Sequence, residues 1–207
     1  INATSATGRD GGYDRLALCV TGQMRGILPR LPVWSHLVRR NLVIPSGASH
    51  VDTFLALSEV QDNHKLEEVR SALKAVAAIG SPTSDCTAPL LAPLCAAKGY
   101  QGRPPRAKAQ FFWVEQCLDA VMTHEKVVGR AYDWTLRLRA DGYYLDRMPA
   151  LSTLDAHSVY HTIKMEQASD MFYAIPRRLL SSFTRGVAVA TTPPSPSLAH
   201  HTDYNCC

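Results

Sequence analysis

The chain has 207 residues, of which 46% are hydrophobic and 19% are charged, and its formal net charge is +4. These values are typical of a folded domain and exclude the disordered, collagen-like and coiled-coil classes. The length suits one α/β domain, which we expect at residues 15–190, between a flexible N-terminal segment at 1–14 and a turn-rich C-terminal tail at 191–207.

The N-terminal segment is polar and rich in glycine, and it lacks the basic-then-apolar order of a signal peptide. The sequence contains no run of about eighteen apolar residues, so we expect no membrane span within this chain. The polar start indicates the remnant of a stem whose anchor is absent, and Asn2 begins an N-glycosylation triplet. If the protein is eukaryotic, both features favour the lumen of the secretory pathway, in particular the Golgi.

Lysine and arginine residues are scattered along the chain rather than concentrated in one run. The densest basic cluster, at 103–108, contains two adjacent prolines and is more typical of a solvated loop than of a phosphate site. We therefore expect no nucleic-acid partner.

Apolar periodicity predicts alternating strands and helices in the first half of the chain. Short apolar runs at 15–21 and 51–57 indicate buried strands. Helical spacing of apolar residues predicts helices at 32–42 and 65–77, and a break at 45–47 separates the first helix from the second strand. This order favours an α/β, Rossmann-like fold with a mostly parallel central sheet flanked by helices.

The second half begins with a segment at 80–106 that contains five prolines and is predicted to be irregular. An amphipathic pattern then predicts a helix at 107–128. Apolar runs predict strands at 133–138, 158–163 and 171–175, and Pro176 suits the first turn of a final helix.

Six cysteines lack the paired spacing and the nearby histidines of a structural zinc site. Cys86 and Cys95 flank a proline-containing segment, where a local disulfide would suit an oxidising lumen. Cys19 and Cys117 lie in apolar patterns and are interpreted as buried thiols.

An acidic turn at 140–142 follows the strand predicted at 133–138. Asp141 would lie at the carboxyl end of a sheet strand, where the ligand sites of α/β proteins gather, and could bind a divalent cation that holds a diphosphate. The alternative is an ordinary surface turn with a salt bridge, because Arg137 and Arg139 beside an apolar strand need acidic partners.

Three motifs occur in order along the chain: CVTGQMR at 19–25, VDTF at 51–54 and YDWTLRLRAD at 132–141. Together they resemble glycosyltransferases of the GT-A type. They look closest to a poorly characterised plant, algal and bacterial group with G-Q-x-R near the start and D-W-x-x-R-x-R-x-D in the middle. The similarity spans residues 15–183.

The resemblance implies a GT-A-like fold and a nucleotide-sugar-dependent hexosyl- or pentosyltransferase that acts on a glycan or glycoprotein acceptor. Its donor would be held at the strand ends by Gly22, Gln23, Arg25, Asp52, Arg137 and Arg139. Glycine lets the backbone approach the donor, and an arginine can bind phosphate oxygens with a bidentate fork. Negative charge that builds on the departing phosphate would be stabilised by a cation or a positioned arginine.

In similar sequences, an aspartate followed closely by an aromatic residue lies near the acceptor. This similarity makes Asp170 the candidate catalytic base and Glu166 the reserve candidate. Asp170 could instead cap the element that follows it. The resemblance also implies Mn²⁺ or Mg²⁺ at Asp141, although the usual acidic D-x-D motif is reduced here to Arg139-Ala140-Asp141.

The reduced motif leaves a second function open. The chain could be a transferase-like domain that lacks catalysis and serves as a binding or structural module of a larger assembly. Donor binding with turnover would indicate the transferase. The absence of donor binding would indicate the binding or structural module.

Overall fold

The computed structural model describes residues 13–82, 86, 87, 89, 91–98, 106–164 and 167–191. The chain forms an α/β fold in which helices flank one six-stranded sheet. The strands are β1 Arg15–Gln23, β2 His50–Ser58, β3 Ala75–Gly80, β4 Trp134–Arg139, β5 Tyr160–Lys164 and β6 Gln167–Pro176. The α-helices are α1 Met24–Ile27, α2 Leu31–Val38, α3 Ile44–Ser46, α4 Asn63–Ala72, α5 Ala92–Lys98, α6 Arg106–Val128 and α7 Arg177–Thr191.

The sheet is mostly parallel, as predicted. Its strand order is β3-β2-β1-β4-β6-β5, and the first four strands run in the same direction. Strand β6 pairs antiparallel with β4, and β5 pairs antiparallel with β6. The carboxyl edge of the sheet is the side on which β1, β2 and β4 end, at Gln23, Ser58 and Arg139.

The core consists of two apolar clusters, one on each face of the sheet. Alternate residues of β1 supply both clusters: Leu16 and Leu18 face the cluster that contains α2, whereas Ala17 and Cys19 face the cluster that contains α6. Parallel strands that are covered on both faces have continuous apolar sequences. The apolar runs at 15–21 and 51–57 therefore sufficed to predict β1 and β2. The predicted helix at 107–128 is confirmed as α6, and α7 begins directly after Pro176.

The predicted helix at 65–77 is wrong in its second half. Helix α4 ends at Ala72, Lys74 has a left-handed φ of +50°, and the following residues form β3. Alanine favours helix in isolation, but β3 pairs with Thr53–Leu57 of β2 and thereby extends the sheet. Tertiary pairing therefore outweighs local propensity here.

Two further predictions need correction. Within the segment at 80–106, which was predicted to be irregular, the structure contains helix α5; residues 83–85, 88, 90 and 99–105 lie outside the described residues. The predicted helix at 32–42 is α2 followed by a π-helical turn at Arg39–Val43.

The four cysteines in the described part of the chain form two disulfides. Cys86 is bonded to Cys95, which confirms the predicted local bridge. Cys19 and Cys117 are also bonded to each other, so their interpretation as free thiols was wrong although both are buried. Their Cα atoms lie 5.9 Å apart because α6 packs directly over β1. No periodicity in the sequence brings those two residues together.

None of the helices in the described part of the chain combines the length and the apolar character needed to cross a bilayer. The domain boundaries at 1–14 and 191–207 remain predictions, because residues 1–12 and 192–207 lie outside the described residues.

Candidate functional site at the carboxyl edge

The segments that follow β1 and β4 meet at the carboxyl edge. Because these strands are parallel neighbours, Thr21 pairs with Arg139, and the amide of Ala140 donates a 2.8 Å hydrogen bond to the carbonyl of Thr21. The GQMR segment and the acidic turn therefore lie side by side, although they are far apart in sequence. Ligands of α/β sheets bind at this kind of edge.

Two glycines permit the close approach of these segments. A Cβ atom on Gly22 would lie 3.4 Å from the Cβ of Ala140, and the φ of Gly22 is +134°, which other residues rarely adopt. A Cβ atom on Gly26 would lie only 3.0 Å from the Cβ of Asp141. The backbone of the GQMR segment thus runs directly beside Asp141.

Asp141 is held by the guanidinium of Arg139. Nε of Arg139 donates to one carboxylate oxygen over 2.8 Å, and a terminal nitrogen donates to the other over 2.6 Å. Hydrogen bonding from Arg139 holds the pKa of the Asp141 carboxyl below its ordinary value. The side chains of Arg139 and Asp141 are 28% and 41% exposed, so solvent can reach the pair.

Gln23, Arg25 and Glu59 form a polar cluster at the same edge. The Gln23 amide donates to Oε1 of Glu59 over 2.9 Å, and Nε of Arg25 donates to Oε1 of Gln23 over 3.0 Å. Nε of Arg25 also lies 3.2 Å from the second oxygen of Glu59. Sequence analysis missed Glu59, although a carboxylate directly after β2 was a usable signal.

Arg137 lies inside the fold rather than at its surface. Its side chain is almost completely buried, its Nε donates to the hydroxyl of Thr21 over 3.0 Å, and its guanidinium carbon lies 5.8 Å from the ring centre of Tyr173. Its positive charge also lowers the pKa of Asp141, after the larger effect of Arg139. Arg137 can therefore influence a ligand through its charge, while its burial separates it from solvent.

Asp52 lies at the opposite end of the sheet from the other candidate donor residues. It pairs with Ala17, whereas Gly22 pairs with Leu57. Five residues of strand correspond to about 16 Å. Burial alone would raise the pKa of Asp52, but hydrogen bonds from Tyr132, at 2.5 Å, and from a histidine outweigh it and hold the pKa low. The structure therefore does not bring Asp52 together with Gly22.

The two candidate catalytic carboxylates lie in or beside β6. Glu166 lies outside the described residues. The backbone of Asp170 belongs to β6, two residues before Phe172, which pairs with Leu138 of β4. The backbone of Asp170 therefore lies toward the carboxyl edge.

Tyr144 anchors the acidic turn, and sequence analysis did not identify it. Its hydroxyl accepts from the amide of Arg139 over 2.7 Å and lies 3.0 Å from the carbonyl of Met171. Burial raises the pKa of the Tyr144 phenol, so the hydroxyl stays protonated. A Cβ atom on Gly142 would lie 2.8 Å from this hydroxyl oxygen. The Gly-Tyr-Tyr sequence after Asp141 was the available signal.

A cavity of about 320 Å³ lies beside the turn. Its walls include Tyr144, Leu145, Met148 and Phe172, and Tyr160 lies on the β5 side. Its volume is within the range of small-molecule sites, which is about 300–1,000 Å³.

The described side chains at the edge do not supply the ligand set of a protein-held divalent cation. Asp141 contributes the one carboxylate of the reduced motif, and Arg139 occupies both of its oxygens. Among the described residues there is no group of three or more His, Cys, Asp or Glu side chains that could hold a metal ion. A divalent cation at Asp141 would compete for both carboxylate oxygens with the guanidinium of Arg139, which is also positively charged.

Comparisons of the chain with protein-family models, curated proteins and solved structures found no match.

Proposed function

We propose that the chain is a glycosyltransferase that moves a sugar from a nucleotide-diphosphate donor to a glycan or glycoprotein acceptor. The observation that carries this proposal is the contact between the GQMR segment and the Asp141 turn at the carboxyl edge. These are two of the three motifs on which the resemblance to GT-A enzymes rests, and a shared edge is what a common donor site requires.

The proposed chemistry rests on arginine. Transfer of the sugar builds negative charge on the departing diphosphate, and positioned cations stabilise such charge. Arg139 is partly exposed and is oriented by its two bonds to Asp141. Arg25 is 74% exposed, and its Nε is anchored by Gln23 and Glu59. Both guanidiniums suit phosphate oxygens, which they can bind through two parallel hydrogen bonds.

We derive no step through Mn²⁺ or Mg²⁺, because the described side chains around Asp141 do not supply a donor set for either ion. Asp141 instead acts in this proposal as a positioning residue for Arg139. Asp52 has no part in donor binding here, since it lies about five strand residues from Gly22.

For the acceptor, the cavity beside Tyr144 provides a space next to the donor edge. Its aromatic walls suit the apolar face of a sugar ring. Asp170 is the proposed base because its backbone lies toward the carboxyl edge, where the proposed donor site also lies. Glu166 remains the reserve candidate. The disulfides support an oxidising compartment such as the secretory lumen.

Calorimetric titration with UDP- and GDP-sugars, each with and without Mn²⁺, tests the proposal. We expect donor binding that weakens about tenfold or more in Arg139→Gln and Asp141→Ala. The matched control is Glu68→Ala, which removes an exposed carboxylate from α4 and should leave donor affinity unchanged. Failure of every donor to bind the wild-type chain would refute the proposal.

A second function remains in competition, namely a transferase-like binding module that lacks catalysis. The observation in its favour is that Arg139 already neutralises the one carboxylate of the reduced acidic motif. Donor binding without transfer or hydrolysis of the sugar, measured by release of nucleoside diphosphate, would favour this second function.

A further inference from the structure

We infer that a second pocket, on the α2 face of the sheet, binds a small organic anion with an apolar body. This pocket, which we call the basic-rimmed pocket, is lined by α2, the first half of β2 and the end of α4, and has a volume of about 480 Å³. Leu18 at its base lies four residues before Gly22, about 13 Å along β1. It is therefore separate from the proposed donor site.

The walls of the basic-rimmed pocket are apolar. Its lining includes Leu18, Trp34, Val38, Val51 and Leu73. Trp34 is 2% exposed, and its indole N–H has no hydrogen-bond partner among the described residues. This N–H is inaccessible to solvent, so Trp34 contributes an apolar wall to the pocket rather than a hydrogen-bond donor. The walls favour a ligand with an alkyl or aryl body.

The rim is positively charged. All the ionisable side chains that line the pocket among the described residues are basic: His36, Arg39 and Lys74. Neither Arg39 nor Lys74 forms an ion pair with a carboxylate of the residues that the structure describes. The C-terminus of α4 contributes about half a negative charge at this position, which the two full positive charges exceed. The rim therefore favours an anionic head group.

Lys74 occupies a position that ordinarily suits glycine. It follows the C-cap residue of α4, its φ is +50°, and its amide donates to the carbonyl of Ser71 over 3.1 Å. A residue with a side chain is strained in this left-handed conformation. Lys74→Gly thus removes the charge while relieving backbone strain, which makes it a variant that is expected to fold.

The experiment compares three ligands with the same eight-carbon tail: octanoate, octanol and octylammonium. We expect octanoate to bind best in calorimetric titration. Lys74→Gly and Arg39→Gln should each weaken octanoate binding about two- to fivefold without changing octanol binding, because each removes one solvent-exposed charge. Arg40→Gln removes a neighbouring exposed charge that does not line the pocket, and it should have no effect.

A blocking variant tests the location of binding. Ala72 is exposed at the end of α4 and lines the pocket, so Ala72→Trp should obstruct it and abolish octanoate binding without a change in the core. Equal binding of octanoate and octylammonium, unchanged binding in Ala72→Trp, or no binding of octanoate to the wild-type chain would each overturn the inference. None of these outcomes depends on glycosyl transfer, so the two proposals are tested independently.

Discussion

The hydroxyl of Tyr144 provides a direct test of how the acidic turn is held. In Tyr144→Phe the ring remains packed in the core, but the Arg139 amide loses its acceptor at 2.7 Å and the carbonyl of Met171 loses a donor at 3.0 Å. Removing the partner of a buried amide costs about 1–3 kcal/mol, so we expect a loss of about 2 kcal/mol in the free energy of unfolding. With a urea m-value of about 2 kcal/mol/M, the unfolding midpoint should fall by about 1 M.

The adjacent tyrosine is the matched control. Tyr143 is 52% exposed, and its ring lies 5.2 Å from the guanidinium carbon of Arg30, a contact that phenylalanine preserves. Tyr143→Phe should therefore change the free energy of unfolding by less than about 0.5 kcal/mol. Equal urea midpoints for the two variants would refute the assigned role of the Tyr144 hydroxyl.

Three further predictions concern particular contacts. Gly142→Ala should destabilise the fold by about 1–3 kcal/mol in urea unfolding, because the new Cβ atom would lie 2.8 Å from the Tyr144 hydroxyl; an unchanged midpoint would contradict the geometry. Asp62→Ala should cost about 1 kcal/mol in the same assay, since the Asp62 side chain caps α4, and donor affinity should not change. The pKa of Asp141 is lowered in the folded state. Its contribution to stability is therefore fully present above the ordinary carboxyl pKa of about 4, and it is lost as the pH falls through the lowered pKa of the folded protein. The stability difference between the wild-type chain and Asp141→Asn should therefore shrink as the pH falls below about 4, and a constant difference would refute the pairing with Arg139.

Local periodicity was sufficient for much of the fold. The buried runs of β1, β2 and β4 and the amphipathic pattern of α6 are properties of neighbouring residues, and each element lies within two residues of its predicted bounds. The same information was insufficient for β3. Ala75, Ala77 and Ala78 carry a helical preference, and pairing with β2 makes that segment a strand.

The candidate site was partly accessible to sequence reasoning. Parallel strands place their carboxyl ends together, so the proximity of Gly22 and Asp141 could be anticipated once both strands were recognised. The position of Asp52 could also have been read from the chain direction, since it is the third residue of β2 and thus lies at the amino end. The resemblance to a family directed attention to its motif instead.

By itself, the sequence determined which segments are buried and which motifs end the strands, because burial and turn chemistry depend on residues close together in the chain. Only the tertiary structure decided that Arg139 binds both oxygens of Asp141, that Cys19 meets Cys117, and that basic side chains from two helical segments surround one pocket. These features depend on distances between residues remote in sequence, which the packing of helices against the sheet sets.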